Sequence, residues 1–209
     1  YYVPRDIISG DFFFADKIGD KLLWASADCT GHSVNGAMLS MLSSNILSEV
    51  TKRGETTPSK ILDKLNEIFN ESLHKTGDDS VRDGLDITIC SLDRTTMILN
   101  FSGANNPLWI IRGSEIIEHK TDKMAIGQID KKESYTNHSI QLESRDIIYT
   151  FSDGICDLHS EDNKKFMKKR LRELLLSIQE KSMAEQKRII SDTLNQWKGN
   201  AHQVDDMLL

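Results

Sequence analysis

A chain of 209 residues, 38% hydrophobic and 28% charged, can bury the core of one sizeable domain and is too apolar to be disordered. Its formal charge of −6 excludes the basic surface that nucleic-acid binding requires. No apolar run approaches the ~18–20 residues that span a bilayer, so no membrane contact is expected of this domain.

Residues 7–28 read as two strands joined by a tight turn at 17–20. Residues 34–52 read as a helix with Val34, Ala37, Met38, Met41, Leu42 and Ile46 on one side. Thr57-Pro58 opens another helix, with threonine at the N-cap and proline at the first helical position. Its apolar face is Ile61, Leu62, Leu65, Ile68, Phe69 and Leu73, and residues 74–84 (HKTGDDSVRDG) form a polar loop. The hydrophobic period then changes to two. LDITICSLD, MILNFSG, PLWIIRG, EIIEH, HSIQLE and DIIYTFSDG read as short strands separated by Gly, Asn and charged turns. Two helices follow at about 163–179 and 183–197, and VDDMLL begins one more strand. The locally basic stretch KKFMKKRLR carries Phe166, Met167, Leu171, Leu174, Leu175 and Ile178 at helical spacing, which describes the solvated side of an amphipathic helix.

Helices bracketing a run of antiparallel strands predict an α+β domain with helices packed on a β-sandwich. No repeat or linker divides residues 1–209, so a single domain is expected. The chain begins YYVP without methionine, and the expectation is a domain from a longer protein whose full-length topology stays open, membrane anchoring included. Cys29, Cys90 and Cys156 are odd in number, far apart and in no CxxC pattern. That predicts a reducing, cytoplasmic setting without disulfides or a thiolate zinc site.

The acidic residues fall in a pattern. Asp11 precedes three phenylalanines, Asp28 ends an apolar strand, Asp153 closes IIYTFS, and Asp205 and Asp206 open the terminal strand. Turn aspartates are common, but Thr30, Gly31, His32 and Ser33 already supply turn chemistry beside Asp28. Several acids on apolar strand ends, where burial makes an ionised carboxylate expensive, point to one shared site. Such a cluster needs a cation, and all-oxygen ligands favour Mg²⁺ or Mn²⁺ over zinc. The six histidines show no HxxxH or HExxH spacing. His32 is a candidate acid/base group or a turn stabiliser.

SGDFFF, ADCTGHSVNGA, DGLDITICSLD, FSGANNPLWIIR, YTFSDGICD and VDDM, in this order, resemble the SpoIIE-like branch of the PPM-type protein serine/threonine phosphatases over nearly the whole chain. The resemblance implies an αββα sandwich, two antiparallel sheets flanked by helix pairs, with a two-metal site at one end. It implies Asp28 as the acid bridging both cations, the Cys29 backbone carbonyl as a ligand, and Asp11, Asp153 and Asp205 as further ligands. The choice between Asp205 and Asp206 stays open. Ser33 stands where the family usually has glycine. Ala104 stands where members with a third cation carry an aspartate, which leaves Asp157 without that partner and argues against a third cation.

The implied activity is hydrolysis of phosphoserine and phosphothreonine by a two-metal-activated water, with two divalent cations, Mn²⁺ or Mg²⁺, in bacterial signalling. Alternatives are a catalytically weak pseudophosphatase serving as a regulatory binding module, and a small-molecule phosphoesterase. Expected partners are a phosphorylated regulatory protein such as an anti-sigma factor antagonist, an N-terminal sensor or regulatory segment, and a second copy in a homodimer. Arg5 is a candidate phosphate-holding cation. It lies about 20 Å from Asp11 along a straight strand at ~3.3 Å per residue, so that role requires a turn near Pro4; otherwise a salt bridge or exposure is expected.

Overall fold

A computed structural model of the chain describes residues 1–31, 34–73, 83–127 and 133–209. The strands are β1 (Tyr2–Val3), β2 (Phe12–Ile18), β3 (Lys21–Cys29), β4 (Leu85–Asp93), β5 (Ile98–Ala104), β6 (Leu108–Arg112), β7 (Glu115–His119), β8 (His138–Gln141), β9 (Ile147–Tyr149) and β10 (Met207–Leu208). The helices are α1 (Val34–Lys52), α2 (Pro58–Leu73), α3 (Gly154–Asp157), α4 (Met167–Ile178) and α5 (Met183–Lys198). One sheet has the order β2-β3-β4-β5-β8, a second β7-β6-β9, and β1 pairs with β10; the pairs are antiparallel.

Alternation along β4 shows how the layers form. Leu85, Ile87 and Ile89 bury with Leu47, Ile61, Leu62, Leu65 and Phe69 under α1 and α2. Cys90, with Leu92 packed alongside, lies in a separate core with Leu99, Phe101, Leu108 and Ile110, between the two sheets. A third core joins Trp109, Ile111 and Tyr149 to Leu171, Leu175, Ile190 and Leu194 of α4 and α5. The result is the expected αββα stack, with period-two strands feeding a different layer on each face.

Four elements depart from expectation. The buried side of α1 is Gly36, Leu39, Ser40, Ser43, Ile46, Leu47, Val50 and Thr51, whereas Val34, Met38 and Met41 are exposed. The cause is close backbone contact. A Cβ on Gly36 would lie 1.7 Å from the Gly31 carbonyl oxygen, and the Ser40 hydroxyl reaches the Ser9 carbonyl at 3.4 Å. Small residues therefore occupy the inner face where a search for apolar side chains looks for bulk. Helix α4 begins at Met167 because residues 158–166 double back, with a bridge between His159 and Lys165 and a Phe166 N–H to Leu158 carbonyl bond of 2.9 Å. Met167 is exposed at φ 70° and lies outside the helix's apolar stripe. Strand β1 and the one-turn helix α3 were not expected. Residues 74–82 of the expected polar loop lie outside the described residues.

Candidate metal centre

The corner after β3 is pinned from two sides. Thr30 N–H donates to the Gly84 carbonyl at 2.8 Å, and the Thr30 hydroxyl accepts from Gly84 N–H at 3.2 Å. Gly31 follows at φ +89°, a conformation that favours glycine. Antiparallel pairing of β3 with β4 sets Asp28 directly opposite Asp86 and Cys29 opposite Leu85. A cleft of about 260 Å³ opens here, lined by Asp28, Cys29, Thr30, Gly31, Leu85, Asp86, Ala125, Asp153 and Asp205.

Asp11 is buried at the start of β2 and accepts a 2.5 Å hydrogen bond from the Ser152 hydroxyl. Asp153 precedes α3, and its carbonyl accepts the Asp157 N–H at 3.0 Å. Asp28 lies close enough to Asp11 and Asp153 for each to influence its ionisation. Burial, then mutual repulsion, pushes the carboxyl pKa of Asp28 far above the usual range, with Asp11, Asp153, Asp205 and Asp86 all contributing. Asp11 rises through burial and the nearby Asp206 and Asp205, although the Ser152 bond opposes the shift. Asp153 rises through burial, Asp205 and Asp157. Burial also raises Asp86, against a 2.7 Å hydrogen bond from the Asn105 side chain.

Asp11, Asp28, Asp153 and Asp205 are thus brought to one end of the sheets, with the Cys29 backbone beside them. The Cys29 thiol is buried, and its pKa is pushed well up by that burial and by Asp28 and Asp11. Asp206 is turned away. Its two carboxylate oxygens accept the Arg5 N–H at 2.7 Å and the Gly10 N–H at 2.8 Å. Asp157 accepts from the Lys165 ammonium at 2.8 Å. The Arg5 guanidinium donates to the Val204 carbonyl at 3.1 Å and lies 3.7 Å from Asp6. His32 and Ser33 lie outside the described residues. Sequence reasoning missed Asp86, although it satisfies the same criterion, an acid at the end of an apolar strand.

Among the described residues no group of three or more His, Cys, Asp or Glu side chains is preassembled around one ion. The carboxylates instead crowd together, which favours protonation of groups that are ordinarily ionised, as their raised pKa values reflect. Divalent cations would remove that requirement, and a donor set of carboxylates and a carbonyl suits hard ions. The residues present therefore fit such a group.

Comparison with known proteins places this geometry in a class. Over 99% of this chain and 81% of the other, it is 27% identical to the SiaA-PP2C domain of Pseudomonas aeruginosa, with a TM-score of 0.89. It matches the PP2C phosphatase domain and regulatory-domain fragment of SpoIIE from Bacillus subtilis at 18% identity and TM-score 0.78, over 99% of this chain and 59% of that one. The RsbU and RsbW domains of Rv1364c from Mycobacterium tuberculosis match at 21% and 0.75, over 99% and 56%. No curated protein matches at a significant level. The fold and the comparisons define a PPM-type phosphoprotein phosphatase domain of bacterial signalling. The model of stage II sporulation protein E (SpoIIE) matches residues 19–209, and the chain belongs to that family. Among the described residues no helix is long and apolar enough to cross a membrane.

Proposed function

We propose that the domain hydrolyses phosphoserine or phosphothreonine on a bacterial regulatory protein, using two divalent cations, Mn²⁺ or Mg²⁺, held in the acidic cleft. The observation that carries this is the convergence of Asp28, Asp153 and Asp205 with Cys29 on one cleft, with buried Asp11 close to Asp28. When bound, two cations supply Lewis acidity that makes water nucleophilic near neutral pH and offsets charge on the phosphoryl oxygens. Asp28, the Cys29 carbonyl, Asp11, Asp153 and Asp205 would hold the cations. Ser152 orients Asp11 through its hydroxyl, and Asp206 fixes the turn at Gly10 that delivers Asp11. No side chain is required as nucleophile, consistent with the buried thiol of Cys29.

The choice of a phosphoprotein substrate is supported by a fold neighbour whose structure holds a phosphatase domain with a fragment of a regulatory domain, and by another described with the bacterial stressosome. A fold neighbour, RsbX, is described in complex with magnesium. Hydrolysis of a phosphoserine peptide, a phosphotyrosine peptide and a nucleotide should be compared in Mn²⁺ and in EDTA. Preference for phosphoserine, loss in EDTA and a fall of orders of magnitude in Asp28→Asn are expected. Activity retained in excess chelator or in Asp28→Asn overturns the proposal.

A further inference from the structure

The basic run that reads in sequence as the solvated face of a helix does not all lie in that helix. Lys165 sits before α4, on the returning arm of the 158–166 loop. Its backbone is bridged to His159, and Phe166 beside it is 3% exposed and anchors the arm in the core. Phe166 turns into the core while the Lys165 side chain stays 45% exposed. The lysine ammonium meets Asp157 at 2.8 Å. Asp157 is one turn of α3 after Asp153, so the two carboxylates share a face.

Resting on the function proposed above, we propose that Lys165 is a phosphate-contacting residue: a cation tethered to Asp157, one helical turn from the cleft-lining Asp153, that receives a phosphoryl oxygen of the incoming phosphoprotein. A phosphomonoester dianion approaching a chain of net charge −6 meets repulsion at the mouth of a carboxylate cleft. The lysine has three N–H donors, and one of them is directed to Asp157. Its side chain remains 45% exposed, so the others are accessible from solvent. The charge is felt within the cleft, because Asp157 and then Asp153 raise the lysine's pKa. Arg5, the cation the sequence offered for this task, is directed at the Val204 carbonyl and Asp6.

The test is calorimetric binding of inorganic phosphate to the Mn²⁺-loaded protein, with the Mn²⁺-induced melting shift measured on the same samples. Lys165→Gln should weaken phosphate binding about tenfold, the worth of one charge-assisted contact, and leave the melting shift at the parent value. KM for an aryl phosphate should rise more than kcat falls. Lys165→Arg should restore most of the affinity. Asp157→Asn, which releases the lysine without removing it, should bind phosphate at least as well as the parent. Unchanged phosphate affinity in Lys165→Gln, with equal loss of melting temperature in Lys165→Gln and Asp157→Asn, would mean a structural ion pair and overturn the lysine assignment alone. A parent protein with no Mn²⁺-induced shift would overturn both this assignment and the two-metal function.

Discussion

Ser152 donates a 2.5 Å hydrogen bond to Asp11, although the two residues are 141 positions apart. The same hydroxyl accepts the Leu208 N–H at 3.1 Å, so one side chain joins the start of β2, the end of the β9 segment and the terminal strand. Ser152→Ala leaves a buried carboxylate and a buried N–H each short of a partner. The expected cost is about 1–3 kcal/mol, or roughly 2–10 °C in melting temperature for a domain of this size. Isothermal titration should also show weaker Mn²⁺ binding, because Asp11 loses the group that orients it. A variant as stable as the parent, with unchanged Mn²⁺ affinity, contradicts the orienting role.

Asp205 and Asp206 are neighbours with opposite duties. Asp206 holds two backbone amides and Asp205 faces the cleft. Asp206→Asn should therefore lower the melting temperature by similar amounts with Mn²⁺ and with EDTA. Asp205→Asn should relieve repulsion, leaving the metal-free protein at least as stable as the parent while removing most of the metal-induced gain. Four melting curves decide the matter, and the reverse pattern would exchange the two roles.

Gly36 lets α1 press against the corner that carries Asp28. A Cβ there would lie 1.7 Å from the Gly31 oxygen and 3.2 Å from the Gly10 Cα. Gly36→Ala should cost about 1–3 kcal/mol through overpacking, despite alanine's better helix propensity. Asn35→Ala, on the exposed side, should stay within about 0.5 kcal/mol. Chemical denaturation of the pair measures both, and a stabilised Gly36→Ala would show that α1 is not held so closely.

The carboxyls of Asp11, Asp28, Asp86 and Asp153 are raised in the folded state. A raised acid means that the fold binds more protons than the unfolded chain, so stability falls as pH increases. The penalty is absent below the unfolded carboxylate value of about 4 and grows as pH climbs towards the folded values. In EDTA the melting temperature should decline from pH 5 to pH 8. The gain conferred by Mn²⁺ should increase over the same range, because ligands must be deprotonated. A metal-free melting temperature that rises across this window is the opposite sign and rules out the acidic cluster as the dominant titrating unit.

Much of this was legible in the chain itself. The bounds of β3, α1, α2 and β4 follow from hydrophobic period and from Pro58, because those signals are local. Asp11, Asp28, Asp153 and the Asp205–Asp206 pair stood out because acids at the ends of apolar strands are chemically conspicuous wherever the strand goes.

The tertiary structure decided what depends on contact between distant segments. The inner face of α1 is made of Gly36, Ser40 and Ser43, because the surface it meets is backbone at Gly10 and Gly31, and only small residues allow that approach. Asp86 joins the cluster because antiparallel register sets it opposite Asp28, and register is a relation between two strands. Asp205 and Asp206 separate because one side chain meets backbone amides while the other lines the cleft. Lys165 left the helix for Asp157 because burial of Phe166 outweighed helical continuation of a charged run. Sequence alone determined most of the elements and marked most of the acids; packing assigned each side chain its face and partner, because burial and electrostatic pairing are properties of two surfaces together.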